Sequence, residues 1–369
     1  MDVRTINVVL AVAIVVTLVT ASISTPAFSQ SENQTRKTIR IGYFPNINHA
    51  QAVIGLGNGD FQRALGDNVQ VTTQIFNAGP SAIEALFANQ IDVTYIGPNP
   101  AINGYVRSDG QALRIISGSA SGGAVFVVRN DSGINSPQDL ANKKFATPEL
   151  GNTQDVALRN YLLDNGYNTK DKGGNVEVLT VKNPDIVTLF LTKQIDGAWV
   201  PEPWGERLVR EGEGKILIDE RDLWPPEGKF VTTHIVVNPD YLENNPDVIK
   251  KLLEAHIDET NWINNNKSAA MEAFNVELQK LTRQTIPEDV LNASLSRIDF
   301  TYDPIRLSLF QDAVDAYNLG FLPENPDLSG IYDLAILDQM LQERGLPPVS
   351  GLGSAATNAT DAFISSDTG

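Results

Sequence analysis

The chain has 369 residues and no cysteine. That absence excludes disulfides, thiolate metal sites and a lipid anchor carried on cysteine. In an exported protein it says nothing about redox compartment. Histidine is scarce, with three residues far apart in sequence. No His-Glu-x-x-His pair, serine elbow, phosphate-binding loop or dinucleotide fingerprint occurs, so no catalytic set, metal or cofactor is expected. Positive charge is short as well: 28 Lys and Arg against 45 Asp and Glu, for a net charge of −17. A field of that sign opposes nucleic acid and anionic lipid, and any anion site must be built locally. The N-terminal apolar run, Val8–Thr20, is shorter than the ~20 residues of a membrane span. Arg4 precedes it, and Ala27-Phe28-Ser29 places small residues where a signal peptidase reads. Residues 1–29 are therefore expected to be a signal peptide, with a mature start near Gln30.

What remains is globular, 42% hydrophobic and long enough for two domains. It is organised around Phe76–Pro100. Val69–Phe76 reads as a strand, Asn77-Ala78-Gly79 as a turn, and Pro80 as the first residue of a helix that faces a core with Ile83, Leu86 and Phe87. Asp92–Ile96 reads as a second strand, stopped by Gly97-Pro98. A bare turn opening a helix points backbone N–H groups and the positive dipole end into open space, and Ser81 adds a hydroxyl. Gly79, Pro80 and Ser81 thus form either a seat for a small anion or an ordinary strand–turn–helix. Upstream, Ile39–Phe44 reads as a strand, followed by the polar loop Pro45–His49. Ligands of open α/β sheets bind at such strand ends, so Asn48, His49 and Gln51 are either contacts or caps of the helix Ala50–Leu56.

Strands at Leu113–Ser119 and Ala124–Val128 close the first unit, and a second begins near Arg129. Lys144–Thr147 reads as a strand. Asn152 or Thr153 caps the helix after it, and again backbone donors and a hydroxyl meet at a helix start. Val176–Val181, Ile186–Thr192 and Gly197–Val200 continue the alternation of strand and helix, which predicts mainly parallel sheets with helices on both faces. Trp199-Val200-Pro201-Glu202-Pro203-Trp204 is an unusual hexapeptide. Its prolines stiffen the chain and hold Glu202 at a helix start. Either Trp199 or Trp204 walls a cleft, or both are core and Glu202 is a cap. Helices are expected from Pro246 to about Asn266 and at Ala269–Leu281, Pro287–Ile298, Pro304–Asn318 and Ile331–Arg344. His256 shares a helical face with Leu252 and Ile263 and is expected to be packed. The stretch 349–369 has no core pattern and is expected to be a flexible tail.

Taken together, Ile41-Gly42-Tyr43, Ala78-Gly79-Pro80-Ser81, Glu84-Ala85-Leu86, Asp92-Val93, Gly97, Gly151 with Thr153, and Ala198–Trp204 resemble the ABC-importer solute-binding proteins for aliphatic sulfonates, taurine, nitrate and thiamine precursors. The likeness runs over about residues 38–345. It implies an α/β, periplasmic-binding-protein-like fold of the second type, with two α/β lobes, 38–125 plus 235–345 and 130–225, joined by two crossing strands near Ala124–Asn130 and Phe230–Asn238. It implies a monomeric, extracytoplasmic protein that hands a small anionic solute to a permease with its ATPase. The expected seat bridges Gly79-Pro80-Ser81 and Asn152-Thr153, with Asn48 and His49 closing one side. Gly97–Asn99 forms the floor, Trp199 packs on the apolar part, and Glu202 serves either as a cap or as partner to an ammonium. Two other readings stand beside this one. An enzyme of thiamine-pyrimidine synthesis on the same fold would, by the resemblance, be intracellular and carry a cysteine-rich motif absent here. A sensory binding protein would need a signalling segment after the lobes.

Overall fold

The computed structural model describes residues 36–349. The expected signal peptide, and the expected tail beyond its first residue, lie outside the described residues. In chain order the strands are β1 (Lys37–Tyr43), β2 (Val69–Ile75), β3 (Val93–Ile96), β4 (Arg114–Gly122), β5 (Ala124–Arg129), β6 (Lys144–Thr147), β7 (Glu177–Thr180), β8 (Gly197–Pro201), β9 (Gly214–Asp219), β10 (Val231–Val237) and β11 (Ile298–Phe300). They form a six-stranded sheet in the order β11-β4-β10-β3-β1-β2 and a five-stranded sheet in the order β7-β6-β8-β5-β9.

The composition of the strands accounts for their depth. β5, Ala-Val-Phe-Val-Val-Arg, and β10, Val-Thr-Thr-His-Ile-Val-Val, are buried along almost their whole length. Near-continuous apolar runs of this kind belong to sheets covered on both faces. Separate apolar clusters lie on the two faces of the second sheet, Val125 and Val127 in one and Phe126 and Val128 in the other. That division is the period-two alternation of a strand. On the first sheet, Ile39 and Ile41 face a cluster that includes Leu252, Phe274 and Leu337.

Only half of the expected parallel character is present. β1 pairs parallel with β2 and β3, and β6 pairs parallel with β7 and β8. By contrast β4, β5, β9, β10 and β11 make antiparallel pairs. Four of these, β4, β5, β9 and β10, carry the chain between the sheets and back, and β11 pairs on the first sheet's edge.

The crossings also sit slightly apart from their expected places. Ala124–Arg129 and Val231–Val237 are full strands within the sheets. The chain leaves the first sheet at Gly122-Gly123, both with positive φ (74° and 77°), a conformation open to glycine at little cost. A Cβ on Gly122 would lie 2.4 Å from the Arg297 carbonyl oxygen. The return runs through residues 220–230. Strands β9 and β11 and the helix Asp60–Leu65 were not expected from the sequence. His256 is packed as expected: Nε2–H donates to the Gly118 carbonyl (2.9 Å), and Nδ1 accepts from the Tyr95 hydroxyl (3.1 Å).

Each parallel strand is followed by a helix: Ala50–Gly57 after β1, Gly79–Phe87 after β2, Pro98–Arg107 after β3, Thr153–Asp164 after β6, Asn183–Leu191 after β7, and Trp204–Arg210 after β8. The strand ends and helix starts of both lobes face one another across a cleft.

Candidate functional site

A cavity lies at this meeting, with about 310 Å³ of empty space when the open solvent at its mouth is included. The first lobe contributes Phe44, Asn46, Asn48 and His49 from the loop after β1, Asn77 and Ala78 after β2, Gly97 after β3, and Thr232 on β10. The second contributes Pro148 after β6, Asn152, Thr153 and Gln154 at a helix start, Asn183 at another, and Pro201 at the end of β8. Ligands of open α/β sheets are held at these carboxyl ends of parallel strands.

No lysine, arginine, aspartate or glutamate lines the cavity. His49 brings no charge either, because full burial lowers its pKa to about 3 and keeps the ring neutral. The polarity comes from the backbone. The helices beginning at Gly79, Pro98, Thr153 and Asn183 all start at this cavity, and none has a side chain bonded to its cap position. Each presents the positive end of its dipole, and free N–H groups remain in the first turn except at the prolines, Pro80, Pro98, Pro100 and Pro184. In a chain of net charge −17, this is a locally positive surface made without a cation.

Four lining side chains carry buried polar atoms without a partner among the described residues: Asn48 Oδ1, His49 Nδ1, Thr153 Oγ1 and Asn183 Oδ1. These residues are 4%, 1%, 3% and 3% exposed. An unpaired buried polar atom costs about 1–3 kcal/mol, so these four atoms call for a partner at the cavity, a solute or ordered water. Asn48 is held from its other end, its Nδ2 donating to Thr233 Oγ1 at 2.8 Å. Phe44 packs on the His49 ring, with centroids 4.5 Å apart.

The candidates named from sequence thus divide. Asn48, His49, Gly97, Asn152 and Thr153 come together on the cavity. Gly79 opens its helix next to Ala78, with Pro80 following, but neither lines the cavity. Ser81 is turned to the opposite lobe, where its hydroxyl donates to Glu149 Oε1 at 3.2 Å. The Ser81 hydroxyl is thus engaged by a carboxylate of the protein, whose pKa burial raises. Asn99 lies behind the cavity, with Nδ2 donating to the Asp312 carbonyl at 3.2 Å. Gln51 is turned inward, donating to the Ser119 carbonyl at 2.8 Å.

Trp199 is fully buried, stacked on Phe126 at 5.3 Å, with Nε1–H donating to Glu220 Oε2 at 2.6 Å. It lies two residues short of the strand end where Pro201 meets the cavity, which places it in the core beneath. Glu202 is also fully buried. It accepts from Arg297 Nη1 (2.8 Å), the Ser294 hydroxyl (3.1 Å) and the Glu206 backbone N–H (2.9 Å). Burial raises its pKa and the Arg297 charge opposes that rise. The carboxylate fastens β8 and its helix to Arg297 of the first lobe, and its bonds leave no oxygen for a solute.

Asn46, Asn77, Asn183 and Thr232 were not singled out from sequence. Asn183 was within reach, since Asn183-Pro184 opens a helix directly after a strand, as Asn152-Thr153 does.

The sequence matches the profile of the NMT1-like family over residues 32–277. The chain belongs to that family. The taurine-binding periplasmic protein of Escherichia coli is 26% identical over 188 residues, which span 50% of this chain and 54% of that protein. A putative binding protein of Brucella abortus is 28% identical over 49% of this chain and 53% of its own. The chain spans about half the length of these curated relatives in the matches. A putative aliphatic sulfonates-binding protein of Bacillus subtilis is 21% identical over 85% of this chain and 91% of its own. Among solved structures, the alkanesulfonate-binding protein SsuA of Xanthomonas axonopodis pv. citri, bound to MOPS, superposes with a TM-score of 0.67 at 16% identity, covering 81% of this chain and 98% of that one. The periplasmic nitrate-binding protein NrtA of Synechocystis PCC 6803 gives a TM-score of 0.66 at 16% identity, over 83% and 89%. These likenesses establish that this NMT1-like protein has the periplasmic-binding-protein fold, with its cleft between the two lobes.

Proposed function

We propose that the protein is the extracytoplasmic solute-binding component of an ABC importer. It captures a small anionic solute of the sulfonate type between its lobes and presents it, as a monomer, to a permease with its ATPase. The observation that carries this reading is the convergence of four uncapped helix starts on a cavity without charged side chains. A sulfonate stays ionised at neutral pH and accepts hydrogen bonds from every side, so neutral N–H and O–H donors hold it without a buried cation. The relatives named for taurine, sulfonate and nitrate binding support the same class.

Among sulfonates, one that also carries an ammonium fits best. Asn48 Oδ1 and Asn183 Oδ1 are unpartnered acceptors on the cavity, and an ammonium supplies the donors they lack. In this reading the ammonium meets those two amides, since Glu202 is already bonded to Arg297 and Ser294. Binding draws the lobes together about Gly122-Gly123 and residues 220–230, because the solute contacts helix starts on both sides.

A thermal-shift screen followed by calorimetry tests the proposal with taurine, ethanesulfonate, nitrate and a thiamine-precursor pyrimidine. The expected result is one-site binding of a sulfonate, with taurine ahead of ethanesulfonate. At 100 times Kd a ligand stabilises the fold by about 2.7 kcal/mol, which such a screen detects. Turnover of the pyrimidine, or binding of none of the anions, overturns it.

A further inference from the structure

The inner cavity meets a wider chamber at the cleft mouth, and the two share Asn46, Asn77 and Asn183 as a common rim. This outer chamber has about 1370 Å³ of empty space when open solvent is included. Trp204 stands at the rim, its Nε1–H donating to Asn46 Oδ1 at 2.9 Å. The chamber carries charge, which the inner cavity does not. Its charged lining residues are Arg207, Glu211 and Arg283. The first two cancel, because Arg207 donates to Glu211 through Nε (2.6 Å) and Nη2 (3.2 Å). Arg283 is exposed and forms none of the ion pairs found among the described residues. One uncompensated positive charge thus stands at the mouth of a protein whose net charge is −17.

The backbone at Arg283 is unusual as well. It ends the helix Lys267–Thr282 in the left-handed region, with φ 63° and ψ 15°, and its N–H donates to the Gln279 carbonyl at 2.9 Å. Glycine or asparagine ordinarily takes such a position, and a residue with a longer side chain adopts it at a cost. An arginine there also meets the negative end of the helix dipole. That role acts on the stability of the fold, whereas a role at the mouth acts on the entry of a charged solute.

We propose that Arg283 is a capture residue: its charge concentrates anions at the cleft mouth and speeds their entry, while the inner cavity decides how long they stay. The inference rests on the anion reading given above. It divides selectivity into two steps. Entry favours net negative charge, because the field of a charged opening raises the local concentration of the opposite sign. Retention favours the donors that complete Asn48 and Asn183. Ethanesulfonate has a net negative charge at neutral pH and taurine, a zwitterion, has none. Arg283 therefore acts on the entry of the first far more than on that of the second.

Stopped-flow tryptophan fluorescence with ethanesulfonate and taurine tests it, on the parent, Arg283→Gln and Arg283→Glu. At ~10 Å in water a unit charge changes the local concentration of a monovalent anion about twofold. At low salt the association rate of ethanesulfonate should therefore fall about twofold in Arg283→Gln and about fourfold in Arg283→Glu. The association rate of taurine, both dissociation rates and the melting temperature should stay as in the parent. In 1 M salt, where charges are screened within ~3 Å, the three proteins should take up ethanesulfonate at one rate. Equal slowing of the two solutes, a difference that persists in 1 M salt, or a change confined to dissociation or melting overturns the capture role and leaves the proposed function standing. Failure of both sulfonates and of nitrate to bind the parent overturns the proposed function and this inference with it.

Discussion

Gly97 and Thr153 approach one another from opposite lobes at the cavity. A Cβ built on Gly97 would lie 2.4 Å from Thr153 Oγ1, whereas ordinary contact begins at 3.4 Å. Gly97→Ala is therefore expected to turn the Thr153 hydroxyl aside or to hold the lobes further apart when a solute is bound. Gly97 has φ −73° and ψ 163°, an extended conformation that alanine adopts freely. The substitution should thus leave the melting temperature of the free protein almost unchanged. Its cost appears on binding, as overpacking of about 1–3 kcal/mol, or roughly fivefold to 150-fold in Kd. Removing the Thr153 hydroxyl removes the atom it strikes. In a Thr153→Ala background the same change should cost little, giving a coupling energy close to the whole Gly97→Ala effect. Calorimetry on the four proteins of this cycle decides it. Equal losses from Gly97→Ala in both backgrounds, or a loss of stability in the free protein, would refute the argument.

Asn183→Ala should weaken the best sulfonate by about 1–3 kcal/mol and taurine more than ethanesulfonate, measured by calorimetry, because the lost oxygen accepts from the ammonium. Arg297→Ala leaves the Glu202 carboxylate buried without its cation. Denaturant titration should show a loss of about 3–5 kcal/mol, partly recovered by adding Glu202→Gln. Glu220 is held by burial at a pKa of about 7 against an ordinary 4.5. Its folded pKa is raised, so its stabilising share is complete below about pH 4.5 and is lost as pH rises through 7. Glu220→Gln keeps an acceptor for Trp199 and should be the more stable protein at pH 8, by up to about 3 kcal/mol, with the gain vanishing near pH 4.

Much of the fold was legible because its signals are local. Pro80, Asn152-Thr153 and Gly97-Pro98 mark helix starts after apolar strands, and that alternation announces α/β lobes. Strand direction was not legible. β4 and β10 read as strands, but nothing local in either shows that they lie side by side and antiparallel. β11 has three residues, and Ile298 falls at helical spacing from Leu295, so the stretch reads as the end of a helix. Turn chemistry pointed to Asn48, His49, Gly97, Asn152 and Thr153, which line the cavity. The hexapeptide Trp199–Trp204 was conspicuous for another reason: it carries Trp199 into the core, joins the lobes through Glu202 and brings Trp204 to the outer chamber. A sequence shows that a residue is unusual, but which neighbour it meets depends on packing between distant segments, as with Glu202 and Arg297, 95 residues apart.

The central claim is that two lobes close on one small anion. Because the chain has no cysteine, Glu211→Cys and Gln284→Cys place two unique thiols across the outer mouth, one on each lobe. Spin labels there report the interlobe distance by pulsed electron resonance. With saturating taurine or alkanesulfonate the distance distribution should shift to shorter values and narrow. A distribution identical with and without a ligand whose binding calorimetry has confirmed would contradict the account.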